Sequence, residues 1–263
     1  MRRARAGGIE GRGLEDAFGA LEPVGLEELD QRAALRRRVD RKFVVPRDEL
    51  AAVVAAAGDQ YQVLEIDGHR EFDYESVYLD TPDLRCFRDH VEQVRPRFKI
   101  RTRLYRETEA CFVEVKVKSA DEQTTKRQMP HDPSAHGGLD PESRRFLDDV
   151  LEELTGEHAP ARLAPSLTTR YQRLTLGAVD GGQRVTTDLA VTLAAADGRA
   201  TRLRDDLALV ETKTEEGEGA IDRLLAERGY DPVTISKYRF GVGMLLEGDP
   251  GEAGAASLHR AFR

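Results

Sequence analysis

Polar and apolar residues alternate along several segments of the chain, and this alternation predicts β-strands. From 97 to 103 basic residues occupy every second position, with mainly apolar residues between them up to Leu104, and 111–118 has a similar alternation. Because successive side chains of a strand point to opposite faces, each segment predicts a strand with one apolar face and one charged face. We predict eight or nine strands, mostly antiparallel because their connections are short, at 38–45, 72–80, 97–105, 111–118, 124–130, 165–176, 184–189, 201–206 and 208–213.

Apolar residues at helical spacing, together with capping residues, predict helices between these strands. Asp140 is a good N-cap residue, Pro141 suits the first helical turn, and Gly156 suits the end of a helix. The same reasoning predicts five helices, at 26–37, 46–58, 140–156, 221–229 and from 236 onward. This mixture of antiparallel strands and helices predicts an α+β fold.

Composition narrows the class of protein. The 263 residues have a net charge of −8, and 40% of them are hydrophobic, which is enough for a packed core. The longest apolar run, 51–57, is far shorter than the roughly 20 residues of a membrane-spanning helix. No apolar signal-peptide core follows the basic start of the chain. The two cysteines, Cys86 and Cys111, lack disulfide or metal-binding spacing, so we expect a cytoplasmic protein.

The distribution of residue types also bears on domain organisation and partners. No Pro- or Gly-rich linker divides the chain, so we predict a single domain over 21–248. Residues 1–20 are rich in Gly and Arg without periodicity and predict a disordered tail, and 249–263 predict a flexible C-terminal tail. The net negative charge argues against a nucleic-acid-binding protein, although a local basic patch could bind another polyanion.

The charged face of the strand at 97–105 carries four cations and no carboxylate. Its residues at alternate positions, where like charges repel one another, are Arg97, Lys99, Arg101 and Arg103. Solvent exposure is the ordinary explanation for a polar face of an antiparallel sheet, but it does not explain why four like charges share one strand face. If the strands close into a barrel, the cations line its interior and suit a polyphosphate chain accompanied by a divalent metal ion.

A series of segments resembles, in order, the VTC domain, which is the polyphosphate polymerase domain of the CYTH or triphosphate tunnel metalloenzyme superfamily. The resemblance covers roughly 26–246 and rests on the ordered series more than on any single motif. Its segments are RVDRKFVVP (38–46), SVYLDTPDLRCF (76–87), FKIRTRLY (98–105), FVEVKVK (112–118), TTKRQ (124–128), TRYQR (169–173), VTTDLAV (185–191), LVETKT (209–214) and ISKYRFG (235–241).

The resemblance implies an antiparallel β tunnel barrel of about eight strands with flanking helices. It further implies that the tunnel binds ATP or another nucleoside triphosphate, or polyphosphate or tripolyphosphate, with Mn2+ or Mg2+ as cofactor. In the polymerases of this family the terminal phosphoryl group of ATP is transferred to a growing polyphosphate chain. Such a transfer depends on positioning and charge neutralisation and needs no nucleophilic side chain.

The resemblance also implies roles for individual residues. Phosphate contacts are expected for residues that match family positions or share a charged strand face, namely Lys42, Lys99, Arg101, Arg103, Lys116, Arg173 and Lys237. Glu211 matches the metal-binding glutamate on the late strand. The residues expected to act in catalysis are Lys42, Arg101, Arg103, Lys116 and Glu211.

Two points about these residues stay open at the level of sequence. Asp40, Glu114 and Asp188 could assist Glu211 as metal ligands, or they could pair with neighbouring cations. The predicted strand at 165–176 carries Arg170 and Arg173 on opposite faces, and periodicity does not tell which of them faces the tunnel.

The chain departs from the wider superfamily at its first strand. The superfamily has an ExExK signature there, and this sequence has Arg38, Asp40 and Lys42 at the corresponding positions. The loss of both glutamates argues against a hydrolytic triphosphatase that needs them on metal. A second basic residue typical of the eukaryotic polymerases is replaced by Thr234.

Other functions of the same fold stay open as alternatives. The chain could be an inorganic or nucleoside triphosphatase, or a non-catalytic polyphosphate-binding sensor or subunit. It lacks the SPX and membrane-spanning segments of eukaryotic relatives, so export of any product would require a membrane partner.

Overall fold

The computed structural model describes residues 13–32, 38–121, 123–248 and 255–263. Within this part of the chain all nine predicted strands are present, although β10 is shorter than the segment predicted at 201–206, and β1 and β3 were not predicted. The strands are β1 (Pro23–Val24), β2 (Val39–Pro46), β3 (Tyr61–Leu64), β4 (Glu71–Asp80), β5 (Arg97–Tyr105), β6 (Ala110–Lys118), β7 (Thr124–His131), β8 (Ala164–Ala178), β9 (Gln183–Ala195), β10 (Ala200–Arg202) and β11 (Leu207–Thr214).

Eight α-helices are found in the same residues, and three of them, α1, α4 and α8, were not predicted. The helices are α1 (Leu14–Gly19), α2 (Leu26–Arg32), α3 (Arg47–Ala57), α4 (Arg85–Val91), α5 (Pro141–Thr155), α6 (Ala220–Glu227), α7 (Lys237–Val242) and α8 (Ala255–Ala261). The end predicted for α2 falls in 33–37, which lie outside the described residues. None of the helices in the described ranges is long and apolar enough to cross a membrane.

Both predicted tails contain helical structure in the parts that are described. Helix α1 lies within the tail predicted for 1–20, and its Leu14 and Phe18 are buried. Helix α8 lies within the tail predicted for 249–263, where Leu258 and Phe262 are buried. The predicted tails were wrong for these two segments because their apolar residues pack against the fold, while 1–12 and 249–254 lie outside the described residues.

The described residues pack into two compact units, where the sequence predicts one domain. The first unit consists of the chain up to Arg70 with 174–187 and 205–233, and the second of 71–173, 188–204 and 234–263. Strands β8 and β9 each run through both units. The domain boundaries predicted from the sequence stay predictions.

The first unit is built on the antiparallel pair of β2 and β11, over which α3 packs. Its polar interior is centred on Asp222 of α6, which is 2% exposed. The Asp222 carboxylate accepts hydrogen bonds from Thr212 Oγ1 (2.5 Å), Gln183 Nε2 (2.9 Å) and the Gly219 backbone N–H (2.8 Å). One buried carboxylate therefore links β9, β11 and the start of α6.

The second unit contains the antiparallel meander β4-β5-β6-β7, joined in continuous register. The apolar face predicted for 111–118 is buried, since Val113, Val115 and Val117 are at most 1% exposed. Helix α5 packs against β6 and contributes Leu147 and Leu151, which are fully buried. The charged residues of β5 and β6 are therefore directed away from this core, as period-two alternation requires.

The predicted α+β class, with an antiparallel sheet and flanking helices, is confirmed. Hydrogen bonds order the principal strands as β2-β11-β9-β8-β4-β5-β6-β7, with β1, β3 and β10 attached to this path. The order ends at β2 and β7, so the strand pairing in the described residues forms an open path of eight strands with three more attached, where an antiparallel tunnel barrel of about eight strands was predicted.

Candidate phosphate-binding site

The cationic face of β5 carries the residues around which the candidate site is built. In the register of the second unit, Arg101 lies opposite Tyr78 on one neighbouring strand and Glu114 on the other. Arg103 lies opposite Ser76, and Lys99 lies opposite Lys116. We call the basic residues gathered on and beside this face the cationic cluster, which comprises Lys99, Arg101, Arg103, Lys116, Lys126, Arg173 and Lys237.

Arg101 is fixed by a carboxylate and a phenol. Its Nε donates to Glu114 Oε2 at 2.6 Å, and its Nη1 donates to the Tyr78 hydroxyl at 2.9 Å. The guanidinium carbon also lies 5.6 Å from the centroid of the Tyr78 ring, within the range of a cation–π interaction. The arginine is therefore held in one orientation before any ligand binds.

Arg103 is held by hydroxyl groups. Its Nε donates to Ser76 Oγ and its Nη2 to the Tyr171 hydroxyl, both at 3.1 Å. The residue is 8% exposed, and its guanidinium carbon lies 5.4 Å from the Tyr74 ring centroid. A buried guanidinium whose hydrogen bonds go to neutral oxygens retains its full positive charge for an anion.

Asp188 of β9 joins two further cations. Arg173 of β8 makes a bidentate pair with this carboxylate, with Nε to Oδ1 at 2.6 Å and Nη2 to Oδ2 at 2.8 Å. Lys237 at the start of α7 also donates to Asp188 Oδ2. The Tyr171 ring packs beneath both cations, with its centroid 5.0 Å from the Arg173 guanidinium and 4.6 Å from Lys237 Nζ.

A row of three lysines crosses strands β5, β6 and β7. Lys99 lies opposite Lys116, which lies opposite Lys126 on the outer strand. Lys126 Nζ is 2.5 Å from Glu114 Oε1, and Lys99 Nζ donates to the Ser236 hydroxyl at 2.8 Å. Ser236 also caps α7 by accepting from the Arg239 backbone N–H, which confirms the helix predicted from residue 236.

Neighbouring cations shift the pKa values of the two buried carboxylates and of one tyrosine. Burial raises the pKa of Glu114, but Arg101, Arg103 and Lys126 outweigh it and lower the value overall. Burial likewise raises the pKa of Asp188, while its two cationic partners bring it down to about 2. The pKa of Tyr171 is lowered because nearby arginines outweigh the effect of its burial. Both carboxylates are therefore ionised at neutral pH.

The tyrosines and serines of the site were not identified from the sequence. Tyr74, Ser76 and Tyr78 lie on one face of β4 at alternate positions, and Tyr171 precedes Arg173 by two residues on β8. Period-two spacing from the predicted arginine would have indicated Tyr171. The residues on β4 had no such signal, because the cross-strand register that brings them to Arg101 and Arg103 is a long-range feature.

The other predicted site residues lie in the first unit, on β2 and β11. Glu211 is directly opposite Lys42, with Oε1 and Nζ 3.9 Å apart, and Glu211 Oε2 is 2.8 Å from Lys213 Nζ. The predicted metal-binding glutamate therefore lies between two lysines. Asp40 pairs with Arg38 at 2.9 Å.

The structure brings most of the predicted residues of the second unit together and distinguishes the two arginines of β8. Arg173 joins Asp188, whereas Arg170 is largely exposed and pairs with Glu75 at 3.1 Å. Arg127 points away from the cluster and lies 3.6 Å from the exposed Glu153. The roles predicted for the site residues in phosphate binding and catalysis stay predictions.

The predicted metal ligands do not form a site that would hold a divalent cation by itself. Each of Glu114 and Asp188 already contacts two cations, and no group of three or more His, Cys, Asp or Glu residues in the described ranges is arranged around a metal position. Glu211 could supply one ligand. Mg2+ is commonly held by one or two carboxylates together with substrate phosphates, so a divalent ion at Glu211 would need its remaining ligands from the phosphate chain.

Comparisons with solved structures find matches of low sequence identity. The Hippeastrum protein HpAC1, a proposed adenylyl cyclase described as having a dominant triphosphatase activity, matches with a TM-score of 0.51 and 16% identity over 80% of this chain and 97% of its own. A proposed adenylate cyclase from Bacillus halodurans matches with a TM-score of 0.43 and 10% identity over 76% and 93%. A Pyrococcus horikoshii protein matches with a TM-score of 0.42 and 15% identity over 80% and 96%.

These identities are low, and the likeness to the Hippeastrum protein shows a shared fold alone. No curated protein matches the chain. The model of the VTC domain matches residues 37–246, which include both the cationic cluster and the pair of Lys42 and Glu211. Because this match covers most of the chain, the protein belongs to the VTC domain family.

Proposed function

We propose that the protein is a polyphosphate polymerase, which transfers the terminal phosphoryl group of ATP, or of another nucleoside triphosphate, to a polyphosphate chain. The observation that supports this most directly is the cationic cluster in a chain of the VTC domain family. Seven cations gather around the two buried carboxylates Glu114 and Asp188, and such a concentration of positive charge suits a chain of linked phosphates.

The cluster can support phosphoryl transfer by positioning and charge. A terminal phosphate oxygen of the acceptor attacks the γ-phosphorus of ATP, the new P–O bond lengthens the polyphosphate by one unit, and the bond between the γ-phosphorus and its bridging oxygen breaks to release ADP. Arg101 and Arg103 present fixed guanidinium groups to phosphate oxygens. Such pre-oriented cations stabilise the charge that develops on the transferred group without reorganising.

On the strength of the family match alone, we also propose roles in the reaction for Lys42 and Glu211 of the first unit. Mn2+ or Mg2+ is the expected cofactor; Glu211 would hold the ion together with phosphate oxygens, and the ion would neutralise phosphate charge. The proposed ligands are ATP or another nucleoside triphosphate and polyphosphate or tripolyphosphate, with no role for nucleic acid.

The proposal is tested by incubating the protein with ATP and either Mn2+ or Mg2+ and resolving the products on a gel. We expect chains of many phosphates from the wild type, and at least about tenfold less product from Arg101→Gln or Glu211→Gln. Arg127→Gln removes the same charge on the opposite face of β7 and serves as the matched control, with product unchanged.

The products distinguish the alternatives. Orthophosphate without long chains would replace the proposal with a triphosphatase. Binding of tripolyphosphate without turnover in either metal would replace it with a sensor or a non-catalytic subunit. Long chains unaffected by the Arg101 and Glu211 substitutions would overturn the assignment of the site.

A further inference from the structure

Arg97, at the start of β5, is a buried cation that the proposed site does not use. It is 8% exposed, and its Nε has no hydrogen-bond partner among the described residues. Its Nη1 donates to the Val94 carbonyl at 3.3 Å. Because Arg101 lies four positions after Arg97 on the same strand, both side chains lie on the same face of the sheet.

The residue opposite Arg97 is a second cation. Arg97 pairs in register with Lys118 at the end of β6, and the next row on this face pairs Lys99 with Lys116. Directly opposed residues of antiparallel strands have their Cβ atoms about 5 Å apart, where like charges destabilise the pair. In the described part of the chain neither Arg97 nor Lys118 makes an ion pair, so no carboxylate relieves this repulsion, whereas Arg101 and Lys126 share Glu114.

The distance from this pair to the centre of the site determines which ligand could reach it. Arg103 lies six positions after Arg97, which corresponds to about 20 Å along an extended strand. Tripolyphosphate has three linked phosphoryl groups and is much shorter than this. An anion held at Arg101 and Arg103 therefore reaches Arg97 only as a longer phosphate chain.

We infer that Arg97 and Lys118 form a further phosphate subsite, which binds the distal part of a long polyphosphate whose other end lies at Arg101 and Arg103. This inference rests on the proposed function and deepens it. The subsite makes the cluster selective for long chains over tripolyphosphate, because only a long chain contacts both ends of β5. The guanidinium group of Arg97, whose Nε has no hydrogen-bond partner among the described residues, and the Lys118 ammonium group supply the additional contacts.

Binding of two ligands to the purified chain tests this subsite. The ligands are tripolyphosphate and a size-fractionated linear polyphosphate longer than β5, and dissociation constants are measured by calorimetry. For the double variant Arg97→Gln with Lys118→Gln we expect about tenfold weaker binding of the long chain and a change of less than about twofold for tripolyphosphate. Arg97→Lys, which retains the charge, should keep most of the long-chain affinity.

Two controls separate this inference from the proposed function. Arg101→Gln should weaken both ligands, and Arg127→Gln should weaken neither. Equal weakening of both ligands by the double variant, or no weakening of the long chain, would overturn the subsite. Unchanged tripolyphosphate binding by Arg101→Gln would instead overturn the proposed function. Thermal unfolding of each variant, with its midpoint close to that of the wild type, establishes that the protein is folded.

Discussion

Asp188 has an unusual environment for a carboxylate, since it is almost fully buried and touches two cations. Its side chain is 3% exposed, and it holds Arg173 through two hydrogen bonds and Lys237 through a third. Removing one partner of a buried ion pair usually costs about 3–5 kcal/mol, because the remaining charges are left without compensation. In this site the uncompensated groups are cations, and a phosphate can compensate them.

Substitution of Asp188 by Asn is therefore expected to lower the stability of the free protein and to increase the stabilisation that a bound phosphate ligand provides. In phosphate-free buffer, Asp188→Asn should lower the free energy of unfolding by about 3 kcal/mol or more. Added tripolyphosphate should raise its thermal midpoint by more than it raises that of the wild type. Thermal unfolding with and without the ligand measures both effects, and equal ligand-induced shifts in the two proteins would contradict this role of Asp188.

The same carboxylate makes stability depend on acid pH. The pKa of Asp188 lies at about 2 in the folded protein, because its cationic partners outweigh the effect of burial, whereas its ordinary value is 3.8. A depressed pKa contributes stability that is fully present above the unfolded value and is lost as the pH falls through the folded value. We expect the wild type to lose about 2 kcal/mol from this group between about pH 4 and pH 2.

Urea unfolding at a series of acidic pH values measures this loss. Asp188→Asn lacks the titrating group, so its free energy of unfolding should fall less steeply over the same interval. Parallel pH profiles for the two proteins would show that Asp188 does not have the depressed pKa described here.

At the residue scale, the sequence predicted which strand faces are charged but not which charges pair. Alternation placed Arg101 and Arg103 on a charged face, and the structure shows both on one face with their hydrogen-bonding partners. From the sequence, Glu114 and Asp188 could either bind a metal ion or pair with neighbouring cations. In the structure each of them contacts two cations. Periodicity could not decide this, because the distance between strands far apart in sequence determines which charges meet.

At the scale of secondary-structure elements, local capping separates the helices that were predicted from one that was not. Helix α5 has Asp140 as its N-cap, accepting from Ser143 N at 2.7 Å, and Gly156 at its end in the left-handed conformation with φ of 75°. Helix α4 has no side-chain cap at its own N-terminus. The N–H of its first residue, Arg85, donates to Thr81 Oγ1, and the N–H groups of Cys86 and Phe87 donate to Asp80, which lies upstream at the end of β4.

Asp80 is 1% exposed and accepts four hydrogen bonds of 3.1 Å or less. Its donors are the backbone N–H groups of Thr81 (2.7 Å), Cys86 (2.8 Å) and Phe87 (3.1 Å) and the hydroxyl of Tyr238. Asp80→Ala would leave all four donors without this acceptor and should lower the free energy of unfolding by about 3 kcal/mol or more. Tyr238→Phe removes only one donor and should cost about 1 kcal/mol.

Urea denaturation of the wild type and the two variants provides the comparison. A loss for Asp80→Ala no larger than that for Tyr238→Phe would show that Asp80 does not organise α4.

Strands β1 and β3 were not predicted, because they too depend on contacts between residues far apart in sequence. They are short, and β3 is defined by pairing with β1 and with the distant β8.

At the scale of the whole molecule, the order of segments was more informative than any single element. The series of motifs indicated the VTC domain, and the family model matches over 37–246. The α+β class with its antiparallel sheet followed from alternation and short connections. The number of strands and the open order of their pairing could not be predicted, because they depend on which strand edges form hydrogen bonds with each other in the folded protein.

The central claim is that the cationic cluster of the second unit binds linked phosphates. The most direct test is a calorimetric titration of tripolyphosphate into the wild type, Arg103→Gln and the matched control Arg127→Gln, with thermal unfolding as the check on folding. We expect at least about tenfold weaker binding for Arg103→Gln, because charge-assisted contacts to a buried guanidinium are lost, and unchanged binding for Arg127→Gln. Equal affinities for the folded Arg103→Gln variant and the wild type would contradict this claim.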